Sequence, residues 1–326
     1  MVLRRRLVQG GSASSPSVHG VHVRGGGCHS ERTMRAMPSS LPTWWKKRFN
    51  LRARGTAAAL AALLSCVGLE AQQRKWIFQA GQRSDEASEQ QGLELLQDRW
   101  IEYVSEETGA PARLHAWWLG QARHDAPVLL YLHGARFDLR GSLHRIQGLH
   151  ALGFAVLGID YRGFGRSTPA LPSERMACED ARAAWAWLGA GHPEARRYIY
   201  GHSLGGAIAV HLASQVDDCA GLIVEGTFTS IPEVFETMKW GWLPIGPLIT
   251  ERFDSAQRVP LVRSPLLVVH GSEDETIHPE LGRALFERAT VPKRFLLVEG
   301  GSHHDTHVVG HAQYRVAMRE LFGLAV

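Results

Sequence analysis

Short apolar runs alternate with longer stretches of helical spacing along most of the chain. Eight runs have the hydrophobicity of β-strands, at residues 99–104, 114–119, 128–132, 154–159, 198–200, 222–224, 266–269 and 295–298. Apolar residues with helical spacing predict helices over residues 143–152, 173–188, 204–214, 279–289 and 312–321. Apolar strands separated by amphipathic helices are typical of an α/β fold, with a mostly parallel sheet covered by helices on both faces.

The basic charge of the chain is confined to its N-terminal segment. The chain carries 36 Lys and Arg against 32 Asp and Glu, a formal net charge of +4. Residues 1–55 hold 11 of these basic residues and one acid, whereas the remainder holds 25 bases and 31 acids. The folded part is therefore mildly acidic, and we expect it to bind no nucleic acid.

The order of charges and apolar residues near the N-terminus is that of an export signal. Residues 1–54 have the composition of a disordered basic segment, and the basic residues at 46–48 precede an uncharged run, Gly55–Leu69. At 15 residues, this run suits a signal-peptide core better than a membrane span. Residues 55–71 are therefore interpreted as a signal or anchor segment.

Several fates of this segment remain open at the level of sequence. Leu63–Cys66 resembles a bacterial lipobox, which makes Cys66 a candidate site of lipidation. Cleavage near Ala71, retention as a short anchor, and a loose helix packed on the domain are the alternatives. Lipidation or retention predicts membrane association. Because basic flanks stay cytoplasmic, the catalytic domain, residues 72–326, would then lie on the periplasmic side.

No motif of the chain calls for a cofactor, and its cysteines lack the spacing of a zinc site. Its four cysteines include no CxxC pair, and neither a Walker A sequence nor a dinucleotide fingerprint occurs. Cys178 and Cys219 are most simply thiols, and a single bridge between them is the alternative.

A serine nucleophile is indicated by the sequence G-x-S-x-G in a specific context. Gly201-His-Ser203-Leu-Gly205 follows a short apolar strand and opens an Ala-rich helix. A tight turn from strand to helix exposes the serine hydroxyl, and the glycines leave room for neighbouring backbone. Ser203 is the predicted nucleophile.

A serine nucleophile needs a base, and the base needs an acid to orient it. His303 follows the strand at 295–298 and is the predicted base, with His304 and His307 as rivals. The same histidine cluster could suggest a metal site, but no carboxylate-rich partner sequence accompanies it.

The orienting acid is predicted to be Asp274, which follows the strand at 266–269. Glu273, Glu275 and Glu225 are the alternatives, and Glu225 also ends a strand. The order Ser203, Asp274, His303 is that of α/β-hydrolases and differs from the orders in chymotrypsin-like and subtilisin-like proteases.

The oxyanion of an acyl-transfer reaction needs two hydrogen-bond donors. We expect the backbone N–H of Leu204, directly after the nucleophile, to be one of them. The other is expected from the loop after the strand at 128–132, at the N–H of Ala135. Arg136, in the same loop, either contacts an acidic or phosphate group on a substrate or is simply solvated.

These motifs together resemble the α/β-hydrolase superfamily. They are His133-Gly134, Asp160-Tyr-Arg-Gly-Phe-Gly-Arg-Ser167, Gly201-His-Ser-Leu-Gly-Gly206, His270-Gly-Ser-Glu-Asp274 and Gly301-Ser-His-His-Asp305. The resemblance covers about residues 73–322 and is greatest to the membrane-anchored α/β-hydrolase-domain branch, with a serine-aminopeptidase-like or lysophospholipase-like core. That family often has Asn at the position of His304 and a polar residue at that of Ala135. The resemblance implies the α/β-hydrolase fold with a short cap insertion.

The insertion, about residues 226–264, is rich in apolar and aromatic side chains. Placed above the serine, it would suit a hydrophobic acyl chain, and the alternative is that these residues only pack the insertion on the sheet. We expect hydrolysis of carboxylic esters or thioesters of lipid-like substrates through an acyl-enzyme. An aminopeptidase of the same fold, a non-catalytic envelope-anchored binding protein, and haloperoxidase or lyase chemistry are the alternatives.

Overall fold

The computed structural model describes residues 68–81 and 93–324, all within one folding unit, Ala59–Val326. The predictions for residues 1–54, for most of residues 55–71 and for Cys66 lie outside the described residues. Within the described part, no helix is both long and apolar enough to cross a membrane.

The core of the fold is an eight-stranded sheet of order β1-β2-β4-β3-β5-β6-β7-β8. β1 pairs antiparallel with β2, β2 pairs antiparallel with β4, and every later pairing is parallel. The strands are β1 Gln97–Val104, β2 Pro111–Leu119, β3 Val128–Leu132, β4 Ala155–Ile159, β5 Arg197–His202, β6 Cys219–Glu225, β7 Leu266–Gly271 and β8 Lys293–Val298. The prediction of a mostly parallel sheet is confirmed.

Helices cover both faces of this sheet. They are α1 (68–78), α2 Leu143–Ala151, α3 Glu174–Gly191, α4 Leu204–Ala213, α5 Ile231–Thr237, α6 Ser255–Arg258, α7 Pro279–Arg288, α8 Thr306–Val309 and α9 His311–Phe322. Side chains of α3, α4 and α7 share one buried apolar cluster with Leu130, and those of α2 and α9 share the other with Leu129. Neighbouring residues of β3 therefore face opposite layers, as the pleat of a strand requires.

The predicted insertion, about residues 226–264, lies between β6 and β7. It holds α5, α6 and two 3₁₀ turns, Gly246–Leu248 and Val259–Leu261. The hydroxyl of Ser230 caps α5 by accepting the N–H of Glu233 at 3.3 Å. Phe228 is buried in the same apolar cluster as the side chains of α3, α4 and α7. Part of the insertion's apolar surface is therefore used for packing.

Helix α1 crosses the predicted domain boundary between residues 71 and 72. Its last residues, Ile77 and Phe78, are buried in the core. The side chain of Gln73 donates to the carbonyl of Leu248 in the insertion at 2.7 Å. The C-terminal half of α1 therefore packs on the folded domain, and the same helix begins at residue 68.

The two cysteines of the described residues are free thiols. Cys178 is buried on α3 and Cys219 is half-buried at the start of β6. The alternative of a bridge between them is therefore not realised.

The loop after β4 is held by buried charges. Arg162 pairs with Glu179 at 2.6 Å and with Asp180 at 2.7 Å, both on α3. It also donates to the Ser105 hydroxyl at 2.8 Å. With these three partners on other elements, Arg162 braces the loop against the domain.

Candidate active site

Ser203 occupies a strained turn between β5 and α4. Its φ of 55° and ψ of −122° lie in a region that non-glycine residues rarely adopt. The Ser203 N–H donates to the carbonyl of Glu225 at 2.9 Å, which fixes the turn to the end of β6. A nucleophile elbow has this geometry, with the side chain exposed at the carboxyl edge of the sheet.

The glycines of the turn are required by close backbone contacts. A Cβ at Gly205 would lie 2.1 Å from the carbonyl oxygen of Leu132, and one at Gly201 would lie 2.2 Å from that of Gly205. Both contacts involve backbone, which cannot move aside without displacing the turn.

We expect Gly205→Ala to lower the free energy of unfolding by about 1–3 kcal/mol, the usual cost of overpacking. The turn would have to shift away from β3 and carry Ser203 with it. Urea unfolding followed by circular dichroism measures the loss. Gly148→Ala is the matched control, because no atom lies within 4 Å of a Cβ at that helical glycine; equal stabilities of the two variants would contradict the assignment.

The structure brings Ser203, His303 and Asp274 together. His303 Nε2 lies 3.0 Å from Ser203 Oγ, and His303 Nδ1 lies 2.7 Å from Asp274 Oδ2. The imidazole is buried between the two partners. A neutral imidazole with its proton on Nδ1 can accept the serine proton on Nε2, so the geometry suits base-assisted nucleophilic attack.

The other two candidate bases, His304 and His307, lie in different surroundings from His303. His304 is exposed, and its ring packs edge-on against that of His303. The ring nitrogens of His307 are buried and have no hydrogen-bond partner among the described residues. Burial lowers the pKa of His307 to about 4, so it stays neutral near pH 7. Neither residue takes the place beside Ser203.

Asp274 is held as a carboxylate. Its Oδ1 accepts the N–H groups of Thr276 at 3.0 Å and Ile277 at 2.8 Å. Burial acts to raise the pKa of Asp274, but hydrogen bonds from His270 and His303 outweigh it and hold the pKa well below the usual range. Two of the rival acids, Glu273 and Glu275, are exposed.

The third rival, Glu225, has a different set of partners. Its Oε1 accepts from Arg145 Nε at 2.9 Å, and its Oε2 accepts from the hydroxyls of Tyr200 and Tyr314. Burial acts to raise the pKa of Glu225, but the charge of Arg145 and the hydrogen bonds of the two hydroxyls lower it by more. The pKa of Glu225 therefore lies below its ordinary value, and the carboxyl is ionised. Glu225 therefore neutralises Arg145 and does not contact His303 Nδ1.

Arg145 was not among the residues predicted from the sequence. It connects Glu225 to the loop that carries His303 and His304. Its Nη2 donates to the carbonyls of His303 at 3.1 Å and His304 at 3.0 Å. The same Nη2 lies 3.1 Å from Nε2 of His202, in the nucleophile turn. Arg145 lies four residues before buried Leu149, so a charge on the apolar face of α2 was the available signal.

The loop after β3 lies against the nucleophile. A Cβ at Gly134 would lie 3.1 Å from that of Ser203. Leu204 begins α4, so its N–H has no acceptor within the helix. Within the described residues, the N–H of Ala135 donates no hydrogen bond either, whereas that of Arg136 is engaged by the carbonyl of Phe78. Both predicted oxyanion donors are thus unengaged.

A pocket of about 180 Å³ opens at Ser203. None of its described lining residues comes from residues 226–264. The lining residues are Gln79, His133, Gly134, Ala135, Arg136, Phe137, Gly141, Ser142, Arg145, His202, Ser203, Thr276, His303 and His304. Of the two roles considered for the insertion, packing on the domain is therefore favoured over forming the pocket above the serine. Its apolar side chains pack in the core, face α1 or face solvent.

Known proteins resemble this chain in sequence. The family model "Serine aminopeptidase, S33" matches residues 123–252. An uncharacterized protein of Mycobacterium tuberculosis is 35% identical over 207 residues, which are 62% of this chain and 72% of that protein. The chain belongs to the α/β-hydrolase superfamily.

Lipases are also among the curated relatives of this α/β-hydrolase. Lysophosphatidylserine lipase ABHD12 of Danio rerio is 32% identical over 203 residues, 56% of this chain and 53% of the lipase. The chain thus spans about half the length of that relative. Of the solved structures, an esterase from Pyrococcus furiosus covers 70% of this chain and 92% of its own, with a TM-score of 0.58 and 19% identity. That likeness supports the fold.

Residues 68–81 and 93–324 contain no group of three or more His, Cys, Asp or Glu side chains placed to hold a metal ion.

Proposed function

We propose that the chain is a serine hydrolase that cleaves carboxylic ester or thioester bonds through an acyl-enzyme on Ser203. The observation that carries this proposal is the chain of hydrogen bonds from Ser203 to His303 and from His303 to Asp274, at the carboxyl edge of the sheet. The lipases and esterases among its relatives support a hydrolase acting on ester bonds.

The proposed reaction proceeds in two acyl transfers. His303 Nε2 takes the Ser203 proton as Oγ attacks the carbonyl carbon, and the N–H groups of Leu204 and Ala135 bind the resulting oxyanion. His303 then returns the proton to the departing alcohol or thiol. The acyl group remains bound to Ser203 Oγ as an ester, the acyl-enzyme. Water, deprotonated by His303, hydrolyses that ester and restores the serine.

The pocket favours an anionic or neutral substrate over a cationic amine. Its described lining residues contain no Asp or Glu. The guanidinium of Arg136 is exposed there and has no carboxylate partner among the described residues. An aminopeptidase would need an acid to hold a free amine, so this alternative is disfavoured. We therefore propose a hydrophobic acyl ester whose remaining part is anionic, like the lysophosphatidylserine that several relatives are named for.

We further propose that residues 55–71 direct the chain to a membrane, as an anchor or through lipidated Cys66, with the catalytic domain on the periplasmic side. The support is the basic-then-apolar order of residues 46–69. The chain would then meet lipid-like esters at the surface to which it is attached.

We expect the full-length wild type to be labelled by a fluorescent fluorophosphonate, and folded Ser203→Ala and His303→Ala variants to remain unlabelled. An activated serine reacts with this probe, whereas an unactivated one does not. The label is read after gel electrophoresis, and circular dichroism checks the fold of each variant.

An ester series then separates the alternatives. Turnover of acyl esters with anionic leaving groups, and none of aminoacyl-naphthylamides, is the expected result. The reverse preference would establish the aminopeptidase. A folded wild type that takes no label would contradict an activated Ser203 and favour the binding protein over the hydrolase.

A further inference from the structure

Every exposed Trp, Tyr or Phe side chain of the described residues lies on α1 or on the insertion. They are Trp76, Trp240 and Trp242, with exposed fractions of 47%, 58% and 74%. Leu69, Met238 and Leu248, from the same two segments, are exposed as well. These six residues, here called the tryptophan surface, expose the side chains that a folded protein usually keeps in its core.

Three of these six residues, Leu69, Trp76 and Leu248, line an apolar groove between α1 and the insertion. The groove has a volume of about 330 Å³, and α1 forms one wall through Leu69 and Trp76 while the insertion forms the other through Phe235, Ile245 and Leu248. Trp240 and Trp242 lie on the turn that connects Phe235 with Ile245.

Polar contacts hold the two walls together. Gln73 Oε1 accepts the N–H of Thr250 at 2.9 Å, and Arg74 Nε donates to Glu251 at 2.9 Å. The groove is therefore a fixed feature of the domain.

The charges beside the tryptophans indicate what this surface meets. Lys75 and Lys239 are both exposed, each directly before a tryptophan, and Glu236 is an exposed acid on the same stretch of the insertion. Tryptophan beside lysine is typical of the membrane interface, where the ring lies among the headgroups and the amine pairs with anionic lipid. This pairing favours a lipid surface over an apolar protein partner.

Helix α1 connects the tryptophan surface with the pocket. At its start, Leu69 is the last residue of the uncharged run Gly55–Leu69. At its end, the carbonyl of Phe78 accepts the N–H of Arg136 at 2.8 Å, and the next residue, Gln79, lines the pocket at Ser203. From Leu69 to Phe78 the helix rises about 13 Å, which is within the length of an acyl chain.

We propose that the tryptophan surface docks on a lipid bilayer and places the pocket where an ester can reach Ser203 directly from the membrane. This inference rests on the proposed ester hydrolysis. It goes beyond an N-terminal anchor, because it assigns the folded domain its own contact with lipid.

The test uses the full-length chain reconstituted into phosphatidylcholine–phosphatidylserine vesicles. It compares the wild type with the double variant Trp240→Ser, Trp242→Ser. We expect the double variant to hydrolyse a vesicle-borne long-chain ester roughly tenfold more slowly, since less apolar surface enters the interface. A water-soluble short-chain ester should be turned over at the wild-type rate. Quenching of tryptophan fluorescence by brominated lipid should also fall.

The matched control is the double variant Val104→Ser, Val316→Ser, which removes apolar side chains exposed on β1 and α9. It should behave as the wild type in all three measurements. If the tryptophan variant does not fold, Lys75→Glu with Lys239→Glu takes its place, with the same loss expected on anionic vesicles.

The proposal would be overturned if the tryptophan variant kept both the lipid quenching of the wild type and its rate of hydrolysis of the vesicle-borne ester. A wild-type dimer that this variant dissociates without any change in lipid quenching would overturn it as well, because the partner would then be a second copy. A wild type that turns over neither ester, but whose lipid quenching depends on the tryptophans, would refute the hydrolase and leave the docking surface in place.

Discussion

Asp274→Asn is expected to lower kcat for ester hydrolysis by about 10⁴-fold while the protein keeps its fold. Asp274 Oδ2 accepts the proton of His303 Nδ1, and Oδ1 accepts two backbone N–H groups. An asparagine can keep the backbone contacts through its carbonyl oxygen, but its NH₂ group then faces Nδ1. The imidazole would carry its proton on Nε2, toward Ser203, and could not act as the base.

Steady-state kinetics on a soluble ester measures this loss. Glu273→Gln and Glu275→Gln are the matched controls, because these exposed carboxylates flank Asp274 and should leave kcat unchanged. The assignment would fail if Asp274→Asn kept wild-type kcat or if either control lost as much. Urea unfolding of all three variants separates a lost base from a lost fold.

The parallel part of the sheet was predictable because the centres of its strands are continuous apolar runs. β3, Val128–Leu132, has the predicted bounds, whereas β6 extends beyond the predicted 222–224 to Cys219–Glu225. The strand ends carry small or polar residues, which pair through their backbones without adding to an apolar pattern. Helices α6 and α8, of four residues each, are too short to show a helical period.

The candidate triad was predictable because each member lies in the loop or turn after a strand, at the same edge of the sheet. Ser203 follows β5, Asp274 follows β7 and His303 follows β8. Their catalytic roles stay a prediction. The pocket was not predictable in the same way. Its walls come from distant loops, and apolar composition alone could not show whether the insertion faces the serine or α1.

Glu225→Ala is expected to lower the free energy of unfolding by about 3–5 kcal/mol, since it leaves the charge of Arg145 buried without its counter-ion. The pair lies almost wholly out of solvent, and the side chains are 2.9 Å apart at Arg145 Nε and Glu225 Oε1. The hydroxyls of Tyr200 and Tyr314 would lose their acceptor as well. Sequence could not reveal this pair, because 80 residues separate its members.

Urea unfolding followed by circular dichroism measures the loss, and Glu106→Ala is the control. Glu106 pairs with Arg182 at 2.8 Å in an exposed position, so its removal should cost less than about 1 kcal/mol. The pKa of Glu225 is lowered in the folded state, so its contribution is present above the ordinary Glu pKa and is lost as the pH falls below it. The gap between wild type and Glu225→Ala should therefore narrow in acid. Because Arg145 also holds the carbonyl of His303, a variant with unchanged stability and unchanged kcat would show that this buried pair neither stabilises the domain nor positions the base.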